Sequence, residues 1–222
     1  MKTIRNNMVF IVLVVGALLA LAPILWMFST SFKDSSSIFG LPLKIIPDPI
    51  QWGNYTSIWE SIPLVQYFKN SIFITSLTII GTVLSSAIVA YGFSILEWKR
   101  RDTVFLFILF TMMIPLQVTM VPVFVIFKEL GWLNTFKPLI IPAYLGGDAF
   151  NIFLFRQFFL NIPREIIDAA KMDGLSHFQI FKEIALPLSK PVIATISILT
   201  FMFTWNDFMG PLIYLSDLAK GT

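Results

Sequence analysis

The sequence of 222 residues has no cysteine, one histidine and few charges. Without cysteine there is no disulfide framework, thiol nucleophile or thiolate metal site. With His177 as the single histidine, a multi-histidine metal cluster is excluded. No G-x-x-x-x-G-K-S/T phosphate loop is present, so nothing in the sequence is equipped to hydrolyse ATP. No partner for a nucleophile–base pair stands out around His177, which reads as a loop-surface residue near a helix start. No long basic run points to nucleic acid. Charged residues make up 13% of the chain, about half the ~25% usual in soluble domains. Such a chain lacks the polar surface to cover a water-exposed globule.

What is present is apolar. Hydrophobic residues make up 56%, with 23 Phe and 6 Trp, a composition suited to lipid contact and interfacial anchoring. Five apolar segments stand out: residues 8–28, 71–96, 103–127, 138–159 and 191–215. Each reaches the ~20 residues that cross a ~30 Å hydrocarbon core. Backbone polar groups find no water there, so the segments are expected to be helices. The fold class is therefore all-α, a polytopic membrane helical bundle with five spans in this sequence. Lys2 and Arg5 give the first segment the look of a secretory signal. Its apolar run is too long for one, and Ala20-Leu21-Ala22 is followed by Pro23, so it reads as an uncleaved anchor.

Charge distribution orients the chain. An inside N-terminus places ten Lys and Arg residues on the inner side, among them the tight cluster Lys99-Arg100-Arg101. The outer side then holds six: Lys33, Lys44, Lys69, Lys128, Lys137 and Lys220. The excess inside predicts a cytoplasmic N-terminus. In the outer loop, residues 30–70, Pro42, Pro47 and Pro49 break helices, while Trp52, Tyr55 and Trp59 suggest a folded cap at the interface.

The inner loop, residues 160–190, is the most informative stretch. Asn161 can cap a helix and Pro163 suits its first turn. Glu165 and Asp168 put negative charge near the positive end of the helix dipole. Gly174 supplies a residue able to take positive φ at a C-terminus. Ser176 and Gln179 form an S-x-x-Q capping box for a second helix, on which Phe178, Phe181 and Ile184 share a face before Pro187 ends it. Ala169-Ala170 makes a small flat spot on the first helix. Alanine also simply favours helix, so a solvated connector is the plain alternative.

The run Ile167-Asp168-Ala169-Ala170-Lys171-Met172-Asp173-Gly174, followed by Phe178, Phe181, Ile184, Leu186 and Pro187, resembles the Glu-Ala-Ala loop of ABC importer permeases. Asp168 stands where that family has Glu, which keeps the charge. Ala90-Tyr91-Gly92-Phe93-Ser94, Met113-Ile114-Pro115, Phe153-Leu154-Phe155-Arg156-Gln157-Phe158-Phe159 and Trp205-Asn206-Asp207-Phe208 are similar to the sugar-importing branch, and to the second permease of maltose-type systems in particular. The resemblance implies a transport subunit rather than an enzyme, in a bacterial or archaeal cell membrane. It implies no cofactor of its own, ATP being bound by a separate cytoplasmic ATPase dimer. The other partners it implies are a second permease in a heterodimer and an extracytoplasmic sugar-binding protein. Glu165, Asp168, Ala169, Ala170, Asp173, Gly174 and Pro187 would form the ATPase-docking loop. The family normally has six spans, so a C-terminal span is expected to be missing from this sequence.

The polar groups in the spans have two readings. Gln117 and Asn206 can hydrogen-bond sugar hydroxyls and Trp205 can stack on a pyranose face, so all three are candidates for the substrate pathway. They can equally bond between helices. Pro115 and Pro122 are expected to kink the third span. Gly146-Gly147-Asp148 interrupts the fourth, where Asp148 either caps a half-helix or faces a polar path. The alternative function is a secondary transporter driven by an ion gradient, which calls for internal repeats and an ionic relay; no clear repeat is visible. A membrane-embedded enzyme lacks any obvious nucleophile or metal set.

Overall fold

The structure is a computed structural model that describes residues 2–38, 40 and 44–216, with side chains from residue 6 onward. The sequence features assigned to Lys2, Arg5, Pro42 and Lys220 therefore lie outside the described side chains. The chain divides into two compact units, residues 1–64 and 65–222.

In the first unit, helix α1 spans Lys2–Ser31. Its 30 residues make a rod of about 45 Å. Every described side chain from Asn6 to Phe28 is exposed within the chain, as expected of a helix whose solvent is lipid or another subunit. The helix ends by side-chain capping: Asn54 Nδ2 donates to the carbonyls of Ser31 and Lys33 at 3.0 and 2.9 Å. Phe32 then packs on Trp52 and Tyr55, with ring centroids 5.0 and 5.1 Å away. The expected aromatic cap thus forms from Trp52 and Tyr55 at the start of a short helix, α2, Gly53–Ser61. Trp59 stays exposed. At the turn between them the Ser36 hydroxyl and amide hold the Asp34 carboxyl below its usual range. That small contribution is present above the ordinary carboxylate pKa and is lost as pH falls through the lowered value.

The second unit opens with α3, Leu64–Ser94. It begins seven residues before the apolar segment starting at 71, because polar residues extend the helix: Gln66 Nε2 donates to Asn70 Oδ1 one turn on, at 2.9 Å. The expected span 103–127 is two helices, α4, Arg101–Thr111, and α5, Leu116–Glu129, meeting at 94°. Pro115 is the reason. It lacks an N–H, adopts ψ 139° and serves as the N-cap of α5. Pro122, by contrast, lies inside a continuous α5. The expected span 138–159 is built from α6, Lys137–Ile140, a 3-10 turn Ile141–Tyr144, and α7, Ala149–Leu160. Gly146 and Gly147, with φ of 116° and 69°, make the break. Asp148 caps α7, accepting from the Phe150 amide at 2.7 Å, so the capping reading of that residue holds.

The loop segment follows. α8 is Arg164–Met172, α9 is His177–Ile180, a π-turn covers Phe181–Ala185, and α10 is Leu186–Leu188. The last span begins with α11, Lys190–Trp205, bent by 75° from His177–Leu188. It is interrupted again before α12, Met209–Tyr214. Among the described residues, three helices are long and apolar enough to cross a membrane, or up to five if each bent pair counts as one span. Among the described residues there is no strand, so the fold is all-helical, a polytopic bundle.

The core of the second unit sits at the loop end of the bundle. Ala87 and Ala90 of α3, Phe155 and Phe159 of α7, Ile180 and Ile196 are fully enclosed. Phe155 and Phe159 stack at 5.7 Å. Ala87 and Ala90 of α3 share this core with the larger rings of α7.

Candidate functional site

Two regions gather the chemistry: the loop helices 164–188 and a cavity between α3, α5, α7 and α11.

The loop helices are fixed to the bundle by one face only. On α8, Ile167 and Ala170 are turned into the core, at 4% and 5% exposure, while Glu165, Asp168, Ala169 and Met172 face outward. This corrects the expected alanine pair. Residues 169 and 170 are 100° apart on a helix, so only Ala169 belongs to the outer surface and Ala170 packs beneath it. Asp173 is the C-cap of α8 and is exposed. Gly174 has φ 84° with nothing near its Cα on the side a Cβ would occupy. It turns the chain so that the Leu175 amide donates back to the Ala170 carbonyl at 3.1 Å. The Ser176–Gln179 capping box forms as read from sequence. Lys171 and Asp168 approach to 3.7 Å on the outer face, a weak exposed pair.

Three further expectations about this loop change. Asn161 does not start α8; it is the C-cap of α7, its Nδ2 donating to Gln157 O at 2.8 Å, and Pro163 holds the N-cap of α8. Phe178 does not share a face with Phe181: it is 72% exposed while Phe181 is 8%. Beyond Phe181 a π-turn, in which the Leu186 amide reaches Phe181 O, inserts an extra residue, and Ile180, Phe181 and Ala185 point inward. Pro187 does not end the helix, which runs one residue further to Leu188. Pro187 has no N–H to donate, which suits a site where the α-pattern has already been broken.

The loop is tied to the spans by residues that periodicity could not single out. Tyr91 of α3 places its hydroxyl 3.2 Å from His177 Nδ1 and sets its ring edge-to-face against Phe181 and Phe159. His177 is on the loop surface at a helix start, as expected. Arg101 turns inward and donates to the carbonyls of Ser94 and Leu96 at 3.1 Å each, covering the open end of α3. Arg156 of α7 donates to Phe93 O at 3.0 Å, meets Asp102 at 2.6 Å and lies over the Phe105 ring. Arg164 pairs with Glu97 at 2.9 Å.

The cavity is about 740 Å³, within the range of ligand sites. Trp205 lines it, although one face of its ring is stacked on Phe201 at 5.3 Å. Gln117 and Asn206 do not line it. Gln117 is exposed near the start of α5 on a face away from the cavity, and Asn206 Nδ2 is spent on the Met202 carbonyl at 2.7 Å. The polar lining comes instead from Thr75, Thr78 and Thr82 of α3, from Thr119, Asn151, Thr200 and Thr204, and from Asp148 and Asp207. For the α3 threonines the signal in the sequence is the spacing of Thr75, Thr78 and Thr82, which share one helical face. Thr78 donates to Leu139 O at 3.2 Å and Ser85 to Ala143 O at 2.6 Å, docking the broken segment before α7 onto α3. Gly147 is required there, because a Cβ would run into Ser86 Oγ.

The family described as binding-protein-dependent transport system inner membrane component matches residues 83–219. The probable ABC transporter permease protein YurM of Bacillus subtilis is 38% identical over 205 residues, covering 90% of this chain and 66% of its own length. The sn-glycerol-3-phosphate transport system permease protein UgpE of Yersinia pestis is 33% identical over 218 residues, covering 96% and 77%. AraQ of Bacillus subtilis, an arabinooligosaccharides transport system permease protein, is 35% identical over 202 residues, covering 90% and 71%. Among solved structures, a chain of a bacterial ABC transporter involved in the import of the acidic polysaccharide alginate superposes with a TM-score of 0.84 at 28% identity, covering 98% of this chain and 76% of that one. This chain therefore spans roughly two thirds to three quarters of the length of the proteins it matches. Such membership places a chain in a membrane, beside an ATPase and a binding protein. The chain belongs to the family of binding-protein-dependent transport system inner membrane components.

Proposed function

We propose that this chain is one of two different permease subunits of an ABC importer for a sugar. In this reading it pairs with a second permease in the manner of maltose-type systems and receives substrate from an extracytoplasmic binding protein. It neither binds nor hydrolyses ATP; a cytoplasmic ATPase dimer does. Its N-terminus and residues 160–190 lie on the cytoplasmic side, in keeping with the Lys and Arg excess there. The substrate class follows from the relatives, whose names refer to glycerol phosphate, arabino-oligosaccharides and alginate, all rich in hydroxyls.

The observation that carries the reading is the two-faced loop. One face of α8 to α10 is built into the core through Ile167, Ala170, Ile180 and Phe181, while Glu165, Asp168 and Ala169 face outward with Asp173, Gly174 and Pro187 exposed around them. A helix anchored in this way transmits a push from a partner to α3 and α7, which a loose connector could not do. Alternating access then couples nucleotide-driven closure of the ATPase to opening of the spans. Co-purification tests it: the tagged chain, expressed with its neighbouring subunits, should carry an ATPase subunit whose hydrolysis is stimulated by loaded binding protein. An ion-gradient transporter would bring down no ATPase and would lose uptake with ionophore.

A further inference from the structure

We propose that the cavity is a binding site for an uncharged, hydroxyl-rich ligand and excludes anions, so that the sugar moved by this subunit carries neither carboxylate nor phosphate. The inference rests on the importer reading above and narrows its substrate.

Three side chains of the lining are buried yet make no side-chain hydrogen bond among the described residues: Thr75 and Thr82 of α3 and Thr200 of α11, at 3%, 6% and 8% exposure. A threonine inside a helix ordinarily bonds its own backbone one turn back, as Thr111, Thr119 and Thr195 do here. These hydroxyls are not sealed in: they open into the cavity, where water or a ligand can complete them. Each can donate one bond and accept others, which matches the alternating donors and acceptors of a sugar ring. The α3 pair is seven residues apart, two turns along one face, so the two hydroxyls are about 10 Å apart along the helix.

The charges decide the sign. Asp148 and Asp207 line the cavity, and none of the described residues lining it is Lys, Arg or His. Neither carboxylate has an ion pair among the described residues. Each uses Oδ1 to accept from a backbone amide, Phe150 at 2.7 Å and Gly210 at 3.0 Å, leaving Oδ2 to accept from a ligand hydroxyl. A phosphate or uronate would meet two negative groups and no cation in a low-dielectric setting, whereas anion sites are built from Arg, Lys or helix N-termini. Of the helix starts that line the cavity, those of α7 and α12 are already occupied by Asp148 and Asp207, and that of α5 follows Pro115. Trp205 adds an apolar wall for the ring carbons.

The absence of native cysteine permits a direct test in the complete importer, reconstituted with cysteine-free partner subunits. Thr200→Cys in the cavity and Ser57→Cys on the exposed α2 would each be modified by a cationic trimethylammonium thiosulfonate and by its anionic sulfonate counterpart. Relative to the Ser57 control, Thr200→Cys should favour the cationic reagent by about tenfold, and Asp207→Asn should cut that preference several-fold. Millimolar arabinotriose or maltotriose should slow the modification; diguluronate and glycerol 3-phosphate should not. Equal reaction with both reagents, protection by the acidic compounds, or protection by none of the four would overturn the proposal. ATPase stimulation by loaded binding protein, read in the same preparation, tests the importer reading separately. If it persists while the charge preference is absent, only the present inference fails.

Discussion

Tyr91 Oη and His177 Nδ1 sit 3.2 Å apart, joining α3 to the first residue of α9. The tyrosine ring also stands edge-on to Phe181 at 5.4 Å and to Phe159 at 6.3 Å. One side chain of α3 thus touches both the loop and α7. Two substitutions separate its roles. Tyr91→Phe removes the hydrogen bond and keeps the ring, for a cost of about 0.5–1.5 kcal/mol. Tyr91→Ala removes the packing as well, costing roughly 3–5 kcal/mol as for other buried aromatics. Thermal unfolding in detergent should therefore rank wild type, Tyr91→Phe and Tyr91→Ala in that order. If Tyr91 also transmits motion, Tyr91→Phe should lower stimulated ATPase activity more than basal activity.

Gly174 permits a clean backbone experiment, since a Cβ would meet nothing within 4 Å. The penalty of a substitution is then conformational and not steric. Gly174→Ala should cost on the order of 1 kcal/mol at φ 84°, and Gly174→Val more, because a β-branched side chain is rarer still in that region. Both proteins should reach the membrane. Stimulated ATPase activity should fall in the order glycine, alanine, valine. Equal activity in all three would mean that this turn is not needed for coupling.

Much of this loop can be read from the residues alone. Capping chemistry is local, so Ser176 with Gln179, Gly174 and Asp148 behave as their types and spacing indicate. Periodicity works less well where the surroundings are apolar on every side. A helix in lipid is hydrophobic all round, and its sequence does not tell the face that meets lipid from the face that meets a neighbour. Gln117 and Asn206 look special as polar residues in apolar runs, yet both are exposed outside the cavity. Thr75, Thr82 and Thr200 look ordinary and line it. The break at Pro115 was visible as a kink, but an angle of 94° depends on what the two halves pack against. The π-turn at 181–185 has no residue signature beyond Pro187 following it.

Arg156 makes three contacts from one guanidinium: Phe93 O, Asp102 and the face of Phe105. Asp102 is 71% exposed, so the ion pair itself should contribute no more than ~1 kcal/mol. The carbonyl bond and the ring contact are buried and should matter more. Arg156→Lys retains the charge but not the planar fork. It should destabilise by about 1–2 kcal/mol, close to the effect of Arg156→Gln. High salt should narrow the gap between wild type and either variant only slightly, because screening acts on the exposed pair alone. A loss in Arg156→Lys much smaller than in Arg156→Gln would assign the role to charge instead.

The two alanines of α8 offer the sharpest discrimination between packing and docking. They are adjacent in sequence and identical in chemistry, yet Ala170 is 5% exposed and Ala169 faces outward. Tryptophan at 170 has to displace Ile167, Ile180 or Phe181 from a filled interior, and overpacking of this kind costs roughly 1–3 kcal/mol or more. Ala170→Trp should therefore lower the unfolding temperature of the isolated chain and reduce its yield. Tryptophan at 169 enlarges a free surface and should leave the chain's own unfolding unchanged within about 0.5 kcal/mol. If the outer face of α8 is where the ATPase sits, Ala169→Trp should nonetheless abolish co-purification of that subunit, since a bulky ring prevents close approach of the two backbones. Serine at the same position keeps the size nearly constant and should preserve binding. The informative pattern is a reversal: Ala170→Trp unstable, and Ala169→Trp stable but uncoupled. If Ala169→Trp holds its ATPase as tightly as wild type, the docking surface lies elsewhere on the loop, with Phe178 and Met172 the next exposed residues to examine.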